Sequence, residues 1–149
     1  MEVRGVMNPH VVSVEEDCPV ALACRLLSRH NVGALPVCSE DGTLRGIVTD
    51  RDIVLRCVAP EEDPADTCVG DIMTRQPATV TPGDDCARAL RTMARNQVRR
   101  LPVVERGRLV GMVSLGDLIR RKDWEVEAAQ ALSEISGNIR RETDSFPQM

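Results

Sequence analysis

The chain has 149 residues, 42% of them apolar, and a formal net charge of −4 at neutral pH. That length supports one ordinary domain, or two half-domains around a shared core, without a disulfide or metal staple. One Trp, one Phe and no Tyr leave an aliphatic core and all but exclude base stacking on aromatic platforms, while the acidic balance argues against a general phosphate-binding field.

Val11-Val12-Ser13-Val14 is a short β-branched run that predicts a strand. Asp17 and Pro19 then mark a helix start, because a first-turn N–H would be unpaired in any case. Ala21, Leu22, Leu26 and Leu27 fall mostly on one face of that helix, and Gly33 fits its C-cap. Ala34 to Cys38 predicts a second strand, Asp41-Gly42 a hairpin turn, and Leu44 to Val48 a third strand. A second helix is expected from Asp50 to about Ala59, ended by Pro60. Residues 60–71 form a polar, acidic, proline-bearing linker, with a short helical turn expected over 69–73.

The same order then returns. Ala78 to Thr81 predicts a strand, Thr81-Pro82 a helix cap, and Cys86, Ala89, Leu90 and Met93 one helix face. Leu101 to Val104 and Arg108 to Ser114 are expected strands about a Glu105-Arg106-Gly107 turn, and a helix follows from Leu115. Val32-Gly33-Ala34-Leu35-Pro36-Val37 matches Val98-Arg99-Arg100-Leu101-Pro102-Val103, and the same spacing holds back without a gap through Arg25/Arg91, Val14/Val80 and Met7/Met73. One residue is then lost, and Gly46, Thr49 and Asp52 meet Gly111, Ser114 and Asp117. The chain is therefore two repeats, 6–59 and 72–122, each β-α-β-β-α, in an α+β fold. Each is too small to bury its own faces, so packing through the sheets with pseudo-twofold symmetry is expected, with a cleft lined by both repeats on either side.

Beyond the repeats, Trp124, Ala128, Ala131, Leu132, Ile135 and Ile139 recur at helical spacing, predicting an amphipathic helix over 123–142 and a frayed tail over 143–149. It either covers the core or docks a partner. No stretch reaches the roughly 18 apolar residues of a membrane span, and Met1-Glu2-Val3-Arg4 does not begin a secretory signal, so a cytoplasmic location is expected. Cys18, Cys24, Cys38, Cys57, Cys68 and Cys86 contain no C-x-x-C pair and, in that setting, read as small hydrophobes; their spacing assigns no metal site.

The most informative stretches are Gly46-Ile47-Val48-Thr49-Asp50-Arg51-Asp52-Ile53 and its echo, Gly111-Met112-Val113-Ser114-Leu115-Gly116-Asp117-Leu118. A hydroxyl and a carboxylate one helical turn apart project from a helix start, where N–H groups and the helix dipole favour an anion. The carboxylate repels phosphate but can accept from a ribose diol, so the pair suits a nucleotide. The same residues also suit plain helix capping.

A glycine, two apolar residues, Thr or Ser, and Asp three positions later, following an apolar-Pro-Val strand and doubled in tandem, resembles a pair of cystathionine-β-synthase (CBS) domains, the Bateman module. It is similar to small stand-alone bacterial members, including the hypoxic-response type. The resemblance implies an adenosine-type regulatory ligand, AMP, ADP, ATP, an NAD-like molecule or S-adenosylmethionine, and no required cofactor. It places the ribose-binding carboxylates at Asp52 and Asp117 and the phosphate-facing hydroxyls at Thr49 and Ser114, flanked by Ile47 and Arg51 or by Met112 and Gly116. Adenine contacts fall on Met7, His10, Val11 and Val12 for the Asp117 cleft, and on Met73, Gln76, Pro77 and Ala78 for the Asp52 cleft, with Val32 and Val98 lining the pockets. Arg99 and Arg100 are expected at the Asp117 cleft, where the first repeat has Gly33 and Ala34, which favours that cleft for a phosphorylated ligand.

The reading is a nucleotide-sensing module acting as a homodimer on a separate effector. A ligand-independent adaptor dimer, with Met7, His10 and Met73 filling the clefts, is the alternative. No Ser/His/Asp set, phosphate-binding glycine loop or His/Cys cluster supports an enzyme, and Arg95, Arg99, Arg100, Arg106 and Arg108 are too local a basic group for nucleic acid.

Overall fold

A computed structural model describes residues 1–120 and 131–135. Most of the expected C-terminal helix, with Trp124, Ala128, Ile139, Arg140 and Arg141, and the tail lie outside the described residues. The first repeat runs α1 (Val20–His30), β1 (Ala34–Cys38), β2 (Leu44–Thr49) and α2 (Asp50–Ile53). Then come α3 (Val69–Ile72), β3 (Thr74–Arg75), α4 (Cys86–Asn96), β4 (Arg100–Glu105), β5 (Arg108–Ser114) and α5 (Leu115–Ile119). A 3-10 turn at Val3–Gly5 precedes them.

The leading strand of each repeat contracts to one parallel bridge, Val14 with Val37 and Val80 with Val103. Helix α1 is capped by Pro19 without a side-chain bond, and α4 by Asp85, which accepts from the Ala87 N–H, rather than by Thr81-Pro82. Thr81 instead donates its N–H to Asp84 in the preceding turn. Gly33 is not the C-cap of α1. Asn31 takes the left-handed conformation (φ 51°) and closes the helix on Leu27 and Ser28, as Gln97 (φ 57°) closes α4. After Ile53 the helix opens into a π turn, Val54–Val58, with the Ala59 N–H reaching back to the Val54 carbonyl.

The described chain forms two compact units. One holds His10–Pro77 and Val104–Leu109. In it β1, β2 and β3 form one antiparallel sheet; Leu35 faces Val48, Pro36 faces Ile47, and β3 adds Gly46–Arg75 and Ile47–Thr74 pairs. Strand β3 has no counterpart in the sequence reading, because a two-residue strand leaves no period to read. The core is aliphatic: Val20, Ala23, Leu35, Val37, Val48, Cys57, Val69 and Ile72 are buried. Burial of such side chains is the main stabilising term, at about 1.5–3 kcal/mol each.

The other unit holds Met1–Pro9, Ala78–Val103 and the described residues from Val110 onward. Strands β4 and β5 pair. The counterpart of β3 is one antiparallel bridge, Asn8 with Met112, closed by hydrogen bonds of 2.8 and 3.0 Å. Val3, Leu90, Met93, Leu101, Val103, Val113 and Leu118 form its core. Residues 131–135 are helical, and Ala131 (4% exposed) joins that core, so this part of the C-terminal segment covers its own unit.

Candidate functional site

Each repeat ends its hairpin in a reciprocal capping box. Thr49 Oγ1 accepts from the Asp52 N–H, and Asp52 Oδ2 accepts from the Thr49 N–H, both at 3.0 Å. Ser114 and Asp117 repeat this with the same 3.0 Å distances. The capping function of these residues is therefore real in both copies. What remains for a ligand is each carboxylate's second oxygen and whatever surface the side chain keeps.

The strands behind the boxes are locked to the same kind of neighbour. The Asp50 N–H donates to the Gly33 carbonyl at 3.0 Å, and the Leu115 N–H to the Arg99 carbonyl at 2.8 Å. Gly33 and Arg99 thus hold equivalent places beside the two helix starts. Arg99 and Arg100 are exposed, and in the first repeat a glycine and an alanine stand there. Arg51, the first repeat's own cation, is exposed as well.

The motif glycines serve close backbone approach. A Cβ on Gly46 would lie 2.6 Å from the Thr74 carbonyl oxygen and 3.0 Å from Met73 Sδ. On Gly111 it would lie 2.9 Å from both the Asn8 carbonyl oxygen and Met7 Sδ. Met7 and Met73 therefore pack over the motif glycines. Met73 is only 4% exposed and belongs to its unit's core.

The two carboxylates differ. Asp52 is the only buried charged residue among the described residues. Thr74 Oγ1 donates to both its oxygens, at 3.1 and 3.2 Å, and Arg56 Nη1 lies 4.0 Å from Oδ1. Arg56 is held by hydrogen bonds of 3.1 Å to the Ile72 and Met73 carbonyls. At Asp117 the nearby cation is Arg120, 3.7 Å from Oδ1 and itself exposed. The Asp117 side chain keeps 25% of its surface and the Asp52 side chain 9%. Thr74 and Arg56 escape a sequence reading; the one available signal is that Thr74 and Asn8 each follow a repeat-equivalent methionine, Met73 and Met7.

Of the residues expected around the second carboxylate, Met7, Met112, Ser114, Gly116, Asp117, Val98, Arg99 and Arg100 fall in one compact unit, with Ala78. His10, Val11, Val12 and Val32 belong to the other unit, with Ile47, Thr49, Arg51, Asp52, Met73, Gln76 and Pro77. His10, Gln76 and Val98 are exposed, while Val11, Val12, Val32, Pro77, Ala78, Ile47, Met112 and Met7 are half-buried. Among the described residues no group of three or more His, Cys, Asp or Glu is arranged for a metal ion, and no helix is long and apolar enough to cross a membrane.

Comparison with known proteins agrees with the doubled pattern. The CBS-domain family model matches twice, over residues 3–59 and 69–123. The CBS domain-containing protein YhcV of Bacillus subtilis is 39% identical over 134 residues, covering 90% of this chain and 94% of that protein. The crystal structure of Hypoxic Response Protein I, which holds two coordinated zinc ions, superposes with a TM-score of 0.76 at 35% identity, over 81% of this chain and 98% of that one. The structure of CBSX2 in complex with AMP superposes with a TM-score of 0.71 at 30% identity, over 80% of this chain and 93% of that one.

Proposed function

The chain belongs to the CBS-domain family, whose members are regulatory rather than catalytic modules and in some cases bind adenosine nucleotides, and on that premise we propose that it senses an adenosine nucleotide of the AMP, ADP or ATP class. The ligand is held at the second repeat's Ser114/Asp117 pair. The observation that carries this is the Asp117 carboxylate, which retains exposed surface after completing its cap, beside the backbone position that bears Arg99. A ribose diol donates to such a carboxylate. Phosphate meets the Ser114 hydroxyl and the guanidinium of Arg99 or Arg100, a pairing that planar donors favour.

In this reading the protein is a cytoplasmic homodimer, and the nucleotide binds one of its conformations better than the other, which is the thermodynamic condition for a signal. A separate effector reads that shift. The second reading, a ligand-independent adaptor dimer, is favoured by one observation, the filling of the first repeat's carboxylate from within.

Calorimetric titration with AMP, ADP, ATP and S-adenosylmethionine separates the two. Saturable heat for one ligand, weakened at least about tenfold by Asp117→Ala, is the expected result, because two hydrogen bonds to a charged acceptor are lost. No heat from any of the four, with the protein folded and dimeric by light scattering, refutes the sensor and leaves the adaptor.

A further inference from the structure

We propose that the first repeat holds no nucleotide, because Thr74 and Arg56 convert Asp52 from a ligand acceptor into an internal latch, leaving one ligand site per chain. An ionised carboxylate offers about four acceptor directions. At Asp52 the Thr49 N–H takes one, the Thr74 hydroxyl spans both oxygens, and the Arg56 guanidinium sits at 4.0 Å. A ribose diol must displace the Thr74 hydroxyl to reach these oxygens.

Thr74 is not free to leave. It is paired with Ile47 in the sheet, and its own carbonyl approaches Gly46 so closely that no side chain fits between them. Arg56 fastens the two residues before it, through the Ile72 and Met73 carbonyls. The segment Ile72–Thr74 is thereby pinned to Asp52 at the helix start of the first repeat and to Arg56 in the π turn after it, by a side-chain bond at each of its residues. Removing one partner would strand a buried charge, which explains why the arrangement persists. In the second repeat the Asp117 side chain keeps nearly three times the fractional exposure of Asp52.

The stoichiometry rests on the nucleotide reading above; the latch does not, so the test has two arms. In the first, AMP is titrated into the full chain. The expected result is one AMP per chain, lost with Asp117→Ala and changed less than about threefold by Asp52→Asn. Two AMP per chain, or loss of sites in Asp52→Asn, overturns the inference.

The second arm needs no ligand. Thr74→Val and Asp52→Asn each lower the melting temperature by roughly 3–8 °C, and the double variant by no more than the worse single one, because they break the same bond. Asp117→Asn, which keeps an acceptor for the Ser114 N–H and sits in an open site, shifts it by less than about 2 °C. A Thr74→Val protein that melts with the wild type overturns the latch. Where AMP gives no heat the same titration is run with ADP, ATP and S-adenosylmethionine under the same stoichiometric criterion; failure of all four sinks the nucleotide reading, and the latch then stands or falls on the melting arm.

Discussion

Gly46→Ala tests whether the motif glycine exists for a backbone crossing. The added Cβ would lie 2.6 Å from the Thr74 carbonyl oxygen, inside the 3.0 Å limit that real Cβ atoms respect, so strand β3 must retreat. Met73 Sδ, 3.0 Å away, can swing aside, but the carbonyl is backbone. Strand β3 is two residues long, and it is held to β2 by the Gly46–Arg75 and Ile47–Thr74 pairs, so the retreat costs a large part of its pairing. Overpacking of about 1–3 kcal/mol, with one net hydrogen bond lost, gives about 2–4 kcal/mol. For a chain of this length that is roughly 5–12 °C in melting temperature. Circular dichroism during thermal and urea unfolding measures both quantities. Gly111→Ala should cost about half as much, because its nearest backbone atom is at 2.9 Å and Met7 can move. Gly5→Ala, whose added Cβ would meet nothing within 4 Å, is the control and should stay within about 0.5 kcal/mol of wild type. If Gly46→Ala melts with the control, the crossing is not what selects glycine there.

Two further outcomes follow from the titrating groups. Asp41, at the hairpin tip, accepts from the Ser39 hydroxyl and the Thr43 N–H, which hold its carboxyl down at about 2. Its folded value lies below its unfolded one, so its stabilising contribution is present above the ordinary carboxylate range and fades as pH falls from about 4 towards 2. Carboxyl carbon NMR should show that low midpoint, and Ser39→Ala should raise it; a wild-type midpoint near 4 would refute the assignment. Burial pushes the Cys18, Cys24 and Cys38 thiols up, with the Asp17 carboxylate adding to the effect at Cys18 and Cys57 adding to it at Cys24. A thiol-reactive disulfide dye at pH 7.5 should therefore label the half-buried Cys18 and Cys24 slowly, while the buried Cys38, Cys57 and Cys86 react only on unfolding. Labelling of Cys18 and Cys24 should still accelerate between pH 8 and 9.5, whereas a rate already level at pH 8 would contradict raised thiols.

The doubling of the whole pattern at one constant spacing, the Leu-Pro-Val strands, the hairpins and the Thr/Ser-x-x-Asp helix starts were legible in the sequence because each rests on local chemistry. Turn residues, alternation and a hydroxyl three positions before a carboxylate act over a few residues, and such signals survive being read in one dimension. The helix ends were less legible: Asn31 and Gln97 close α1 and α4 in the left-handed conformation, which glycine would have announced and they do not. Tertiary structure alone decided what the two aspartates have available. Asp52 and Asp117 have the same local pattern and the same capping distances, but one is buried against Thr74 and Arg56 and the other, beside the exposed Arg120, keeps 25% of its side-chain surface. Thr74 lies 22 residues from Asp52. Its hydroxyl reaches the carboxylate only because β3 crosses Gly46 at a distance no side chain allows, and no periodicity in a sequence records a crossing between distant segments.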